Sequence, residues 1–129
     1  MITEDYVSFE TAKLLKEKKF NAECRAYYIT YKDKSLKLCL ASGSANFNNK
    51  APSRTSAPSL GLAMKWLREL YDIEIYPYHS SISRLASWFF TIERFYYTES
   101  KQLHLSDDYY LSYEEACEDA IRYCLENLI

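Results

Sequence analysis

The stretch PSLGLAMKWLRELYDIEIYPY, Pro58 to Tyr78, decides the fold. Leu60, Ala63, Met64, Leu67, Leu70 and Tyr71 follow the i, i+3, i+4, i+7 spacing that lines one face of a helix. Leu62 and Trp66 lie on an adjoining face and widen the apolar stripe. Pro58 suits a first helical turn, where a missing N–H costs nothing, and Ser56 or Ser59 can cap the free amides. After Asp72 the period changes to two. Ile73, Ile75 and Pro77 point one way, and Glu74, Tyr76 and Tyr78 the other. Pro77 lacks a ladder donor, which favours an edge strand or a strand end. One short passage therefore predicts a helix leading directly into a sheet.

Working outward, Ser8 is a candidate N-cap for a helix over FETAKLLKEKK, with Glu10 in its first turn and lysines in its last. Arg25–Tyr31 is β-branched and aromatic and predicts a strand; KDKS predicts a turn; LKLCLA predicts a second strand with Leu36, Leu38 and Leu40 on one face. Residues 41–57 are rich in Ser, Asn, Ala and Pro and predict a polar loop, with Lys50 and Arg54 as its cations. HSSISRLAS predicts a polar connection. Trp88–Thr98 predicts the strongest strand, its two faces both apolar: Trp88, Phe90, Ile92 and Tyr96 against Phe89, Thr91, Glu93, Phe95 and Tyr97. ESKQLHLSDDYYL predicts a loop. Ser112 with Glu115 forms a capping-box pattern ahead of a helix whose core stripe is Tyr113, Ala116, Cys117, Ala120, Ile121, Cys124, Leu125 and Leu128. The expected fold is α+β, in the order α-β-β-α-β-β-α. A roughly four-stranded antiparallel sheet carries three helices mainly on one face, all within a single domain, residues 1–129.

Composition narrows the function classes. Hydrophobic residues make up 48% and charged residues 26% of the 129, ordinary values for a globular protein. Thirteen tyrosines and only two glycines are not ordinary. Two glycines leave no Gly-rich phosphate loop and no glycine for tight left-handed hairpin turns. No stretch reaches the roughly 20 apolar residues that cross a bilayer, and the acidic start MITEDYVSFE lacks a signal-peptide layout. Cys117 and Cys124, seven apart on one helix, are too far separated to bridge, so reduced thiols in a cytoplasmic protein are expected. Residues 1–65 hold eleven Lys/Arg against six Asp/Glu, and residues 66–129 five against twelve.

No nucleophile elbow, P-loop, Rossmann glycine run or HExxH is present. His79 and His104 have no ligand-like spacing, and Glu114–Glu115 has a structural role at a helix start. No catalytic, cofactor or metal residue is assigned, and a non-catalytic protein is expected. The residues that carry a binding expectation are Tyr76, Tyr78, Phe95 and Tyr97, with Arg94 beside them. A tyrosine-rich face suits a protein partner or a homodimer, because the ring buries area while its hydroxyl stays hydrated. The alternative is single-stranded nucleic acid stacked on a platform of Tyr27, Tyr31, Tyr76, Tyr78, Phe95 and Tyr97, with Lys32, Lys34 and Arg94 nearby.

The segments YVSFETAKLLKEK (Tyr6–Lys18), AMKWLRE (Ala63–Glu69) and YEEACEDAIRYCLENLI (Tyr113–Ile129) resemble a group of small uncharacterised proteins of gut Bacteroides-type bacteria and their phages or mobile elements. The similarity covers the three helices, less than half of the chain. In that group a glycine often follows the first helix, where this chain has Lys19. The resemblance implies a bacterial cytosolic or phage-related setting and no activity.

Overall fold

A computed structural model, describing residues 2–80 and 87–129, gives three α-helices and two three-stranded antiparallel sheets. The elements are α1 (Phe9–Glu17), β1 (Cys24–Thr30), β2 (Leu36–Ala45), β3 (Arg54–Ser56), α2 (Leu60–Tyr71), β4 (Ile73–Ser80), β5 (Ser87–Phe95), β6 (Ser100–Leu105) and α3 (Tyr113–Asn127). The α+β class holds. The single four-stranded sheet does not: β3 and β6 are additional strands, and each completes a separate sheet. The chain divides into two units, Met1–Leu62 and Ala63–Ile129.

In the first unit the strand order is β2-β1-β3. Ser8 caps α1 by accepting from the Thr11 amide at 3.2 Å. The helix closes with Lys19 at φ 65°, a left-handed residue where glycine is usual. The Lys19 amide donates to Lys16 and the Phe20 amide to Leu15, which seats Phe20 in the core. That is how the helix exits without a glycine. Helix α1 lies on the Ala26, Tyr28 face of the sheet: Phe9 meets Tyr28 edge-on at 5.5 Å, and Lys16 Nζ donates to the Arg54 carbonyl of β3. Tyr28 Oη donates to the Val7 carbonyl at 2.7 Å. The β1–β2 turn likewise uses a lysine at positive φ, Lys34.

The polar loop expected at 41–57 is a set of short elements tied down by its own side chains. Strand β2 runs on to Ala45, opening a bulge in which Ala41–Ser44 stand opposite Arg25 alone. A 3₁₀ turn follows at Phe47–Asn49, and Phe47 is buried against Tyr27, ring centres 4.4 Å apart. Asn48 donates to the Phe20 carbonyl and accepts from the Ser56 amide, while Ser56 Oγ accepts from the Phe47 amide. Asn and Ser side chains thus replace the missing backbone partners, a role their loop-like composition concealed. Ser59, not Ser56, caps α2.

In the second unit the order is β4-β5-β6. Ile73, Ile75 and Pro77 of β4 stand beside Arg94, Ile92 and Phe90 of β5, all on one face. Helix α3 covers that face through its buried Ala116, Cys117, Ala120, Ile121, Cys124 and Leu125. Trp88 packs on Tyr113, and His104 of β6 stacks on Tyr123 at 3.8 Å. Ser112 caps α3, and Glu115 returns a bond to the Leu111 amide. On α2 the buried residues are Leu60, Ala63, Trp66 and Leu67, whereas Leu70, expected in the stripe, is exposed. The connection expected at HSSISRLAS falls largely outside the described residues.

Candidate functional site

The second sheet has one covered face and one open one. On the open face, Tyr76 stands beside Thr91, which stands beside Leu105, and Tyr78 stands beside Phe89. The Tyr78 and Phe89 rings stack at 5.6 Å, 19° from parallel. Phe95 shares the parity of Phe89 and Thr91 and lies on the same face, separated from them by Glu93. Tyr76, Tyr78, Phe95 and Leu105 are 42%, 41%, 36% and 46% exposed. Period-two sequence places them there, because residues of one parity face α3 and those of the other face away. The cluster of Tyr76, Tyr78, Phe89 and Leu105, which no described element covers, is a docking surface in character.

Its charge is negative. Glu74 and Glu93 are direct cross-strand partners at one end of the patch, an unfavourable pairing of like charges. One guanidinium nitrogen of Arg68 relieves it by donating to both Glu74 oxygens at 3.0 and 3.2 Å. Partial burial, and then the Glu93 and Glu74 carboxylates, push the Tyr76 phenol above its ordinary pKa. Among the described cations of this unit, Arg94 and Lys101 share the opposite face. Arg68, Lys65 and Arg122 are each paired with a carboxylate. Among the described residues, a phosphate backbone laid on the patch would meet two carboxylates and no unpaired cation, the reverse of what single-strand binding requires.

Of the residues the sequence singled out, Tyr76 and Tyr78 adjoin on this face, and Phe95 shares the face beyond Glu93. Arg94 does not: it points to the α3 side and donates to the Leu128 carbonyl at 3.4 Å. Tyr97 lies in the β5–β6 turn, fully exposed, beyond the strand. Tyr27 and Tyr31 belong to the first unit, so the six-aromatic platform is divided between two sheets; Tyr27 is already engaged by Phe47 and by Arg54 above its ring. Phe89 and Leu105 complete the patch. Phe89 was legible from its parity with Phe95, whereas Leu105 lay in a segment that reads as loop.

Other chemistry is thin. The first unit has a half-open cavity of about 360 Å³ beside the Ala41–Ser44 bulge, lined by Tyr6, Glu23, Cys24, Arg25, Leu40 and Ser44 among others. Burial raises the Cys24 thiol pKa, so that sulfur is a poor nucleophile. Among the described residues no His, Cys, Asp and Glu side chains gather into a metal site. No described helix is long and apolar enough to cross a membrane. Comparisons with protein-family models, curated proteins and solved structures return no match. What fold and site define together is an α+β protein with an exposed, acidic-edged aromatic sheet face.

Proposed function

We propose that this chain is a non-catalytic binding protein whose open β4–β6 face docks on another protein. The observation that carries the proposal is the cluster of Tyr76, Tyr78, Phe89 and Leu105 on a face that no described element covers, with Phe95 on the same face beyond Glu93. Rigid aromatics on a sheet offer large contact area with little side-chain entropy to lose, the chemistry of interface anchors. Glu74 and Glu93 at the rim select a partner with an apolar surface flanked by Lys or Arg. The same carboxylates weigh against the nucleic-acid alternative. A cytoplasmic, bacterial or phage-related setting rests on the helix resemblance alone.

The test is paired affinity capture from the host with the native chain and a Tyr76→Ala/Tyr78→Ala double variant whose circular dichroism matches it. A protein retained by the native chain, lost by the variant and weakened by Glu93→Arg supports the proposal. Retention indifferent to these changes defeats it. So does saturable binding of a single-stranded oligonucleotide that depends on the two tyrosines.

A further inference from the structure

Strand β2 is an edge strand, blunted by Lys37 and by the bulge that follows Leu40 but open along its leucines. Its regular part is Leu36–Lys37–Leu38–Cys39–Leu40, after which the Ala41–Ser44 bulge breaks the ladder. Leu36, Leu38 and Leu40 are 45%, 41% and 67% exposed. They lie on the Ala26, Tyr28 face, which α1 covers over β1 and β3 but leaves bare over β2. Sequence alternation places these leucines on one face; in the structure they form an exposed ridge.

The hydrogen-bond phase of the edge can be read from its neighbours. Thr30 donates to Ser53, and Ala57 donates to Ala26, so the even-numbered residues of β1 bond toward β3. The odd-numbered residues of β1 therefore bond toward β2, where their register partners are Lys37 and Cys39. That leaves the N–H and C=O groups of Leu36, Leu38 and Leu40 directed outward, the same three residues whose side chains form the ridge.

We infer that β2 is a self-association edge, pairing antiparallel with β2 of a second copy about a two-fold axis at Leu38. Leu38 is the midpoint of the regular segment, so the bulge itself sets the centre. In this register Leu38 meets its own counterpart and Leu36 meets Leu40. All three are hydrogen-bonded pairs, giving about six backbone bonds between the copies. Lys37, the one charged residue of β2, falls opposite Cys39 and not opposite its own counterpart. An isologous contact needs that kind of self-complementarity. The β2-β1-β3 sheets of the two copies become one six-stranded sheet, and six leucines join into an apolar strip on one side. This interface is separate from the β4–β6 face and does not depend on what that face binds.

The test uses the non-hydrogen-bonded pair. Lys37→Cys places a new thiol opposite the native Cys39 of the other copy, within the Cα separation a disulfide allows. In its own strand the new thiol sits two residues from Cys39, roughly 7 Å away along the chain, too far to close. Under mild oxidation the Lys37→Cys chain is expected to run as a covalent dimer, and Lys37→Cys with Cys39→Ser as a monomer. Light scattering of the native chain should show a mass that doubles with concentration, and Leu38→Lys, which sets two cations at the axis, should abolish the doubling. A native chain that stays at one-chain mass up to its solubility limit overturns the inference, as does cross-linking that persists without Cys39.

Discussion

Lys19 offers a test of the backbone in which the sign of the answer decides the matter. Its φ of 65° lies in the left-handed region, which costs an L-residue roughly 1–2 kcal/mol. Its side chain is exposed, so the cost is set against the backbone bonds from Lys19 to Lys16 and from Phe20 to Leu15. Glycine removes the clash but gives back about 0.5–1 kcal/mol in chain entropy. Comparing Lys19→Gly with Lys19→Ala cancels the lost charge at the helix C-terminus and isolates the backbone. The glycine variant should be more stable than the alanine variant by about 0.5–1 kcal/mol in urea denaturation. Lys13, exposed in the interior of α1, is the control. Both of its variants lose the contact of Nζ with the Phe9 ring at 5.0 Å, and there alanine should win by about 1 kcal/mol. If alanine is the more stable at both positions, the helix does not close through a left-handed Lys19, and the seating of Phe20 must be redrawn.

Two further outcomes follow from buried groups. Leu67 is fully buried, so Leu67→Ala should cost about 2–5 kcal/mol by urea titration; a loss of a few tenths would mean that it lies outside the core. Burial pushes the Cys117 thiol up to about 11 and the Cys124 thiol up to about 12, from an ordinary value of 9.0. The native state then keeps protons that the unfolded chain releases. Stability is complete below pH 9.0 and should fall as pH rises toward 11–12, by about 1.4 kcal/mol per pH unit for each thiol. Urea midpoints from pH 7 upward (roughly two units either side of an unperturbed thiol) measure this; Cys124→Ala should flatten the slope, and an unchanged slope would refute the assignment.

What the sequence disclosed was local. Ser8 and Ser112 announce their helices because a capping hydroxyl acts within one turn, and the alternation of Ile73–Tyr78 and Trp88–Phe95 separates the covered face from the open one. The same parity rule, applied strictly, would have put Arg94 opposite Phe95. What stayed hidden depends on partners distant in the chain. Strand β6 is polar and carries a bulge at Leu103, opposite the Ile92–Glu93 step, which breaks its alternation. Strand β3 is three residues long and is held by its pairing with Tyr27, Tyr28 and Ile29. Nothing in Leu36, Leu38 and Leu40 themselves says that α1 stops short of them. Two sheets in place of one is a fact of long-range pairing, which local periodicity does not encode.

Both tryptophans, Trp66 and Trp88, lie within Ala63–Ile129, and the first unit has none. Indole emission therefore arises from the second unit, and Tyr6, Tyr27, Tyr28 and Tyr31 are the tyrosines of the first. An unfolding curve followed by tryptophan fluorescence leaves half the molecule dark. Followed together with far-ultraviolet circular dichroism, it resolves whether the halves melt in one transition or two, with no label added.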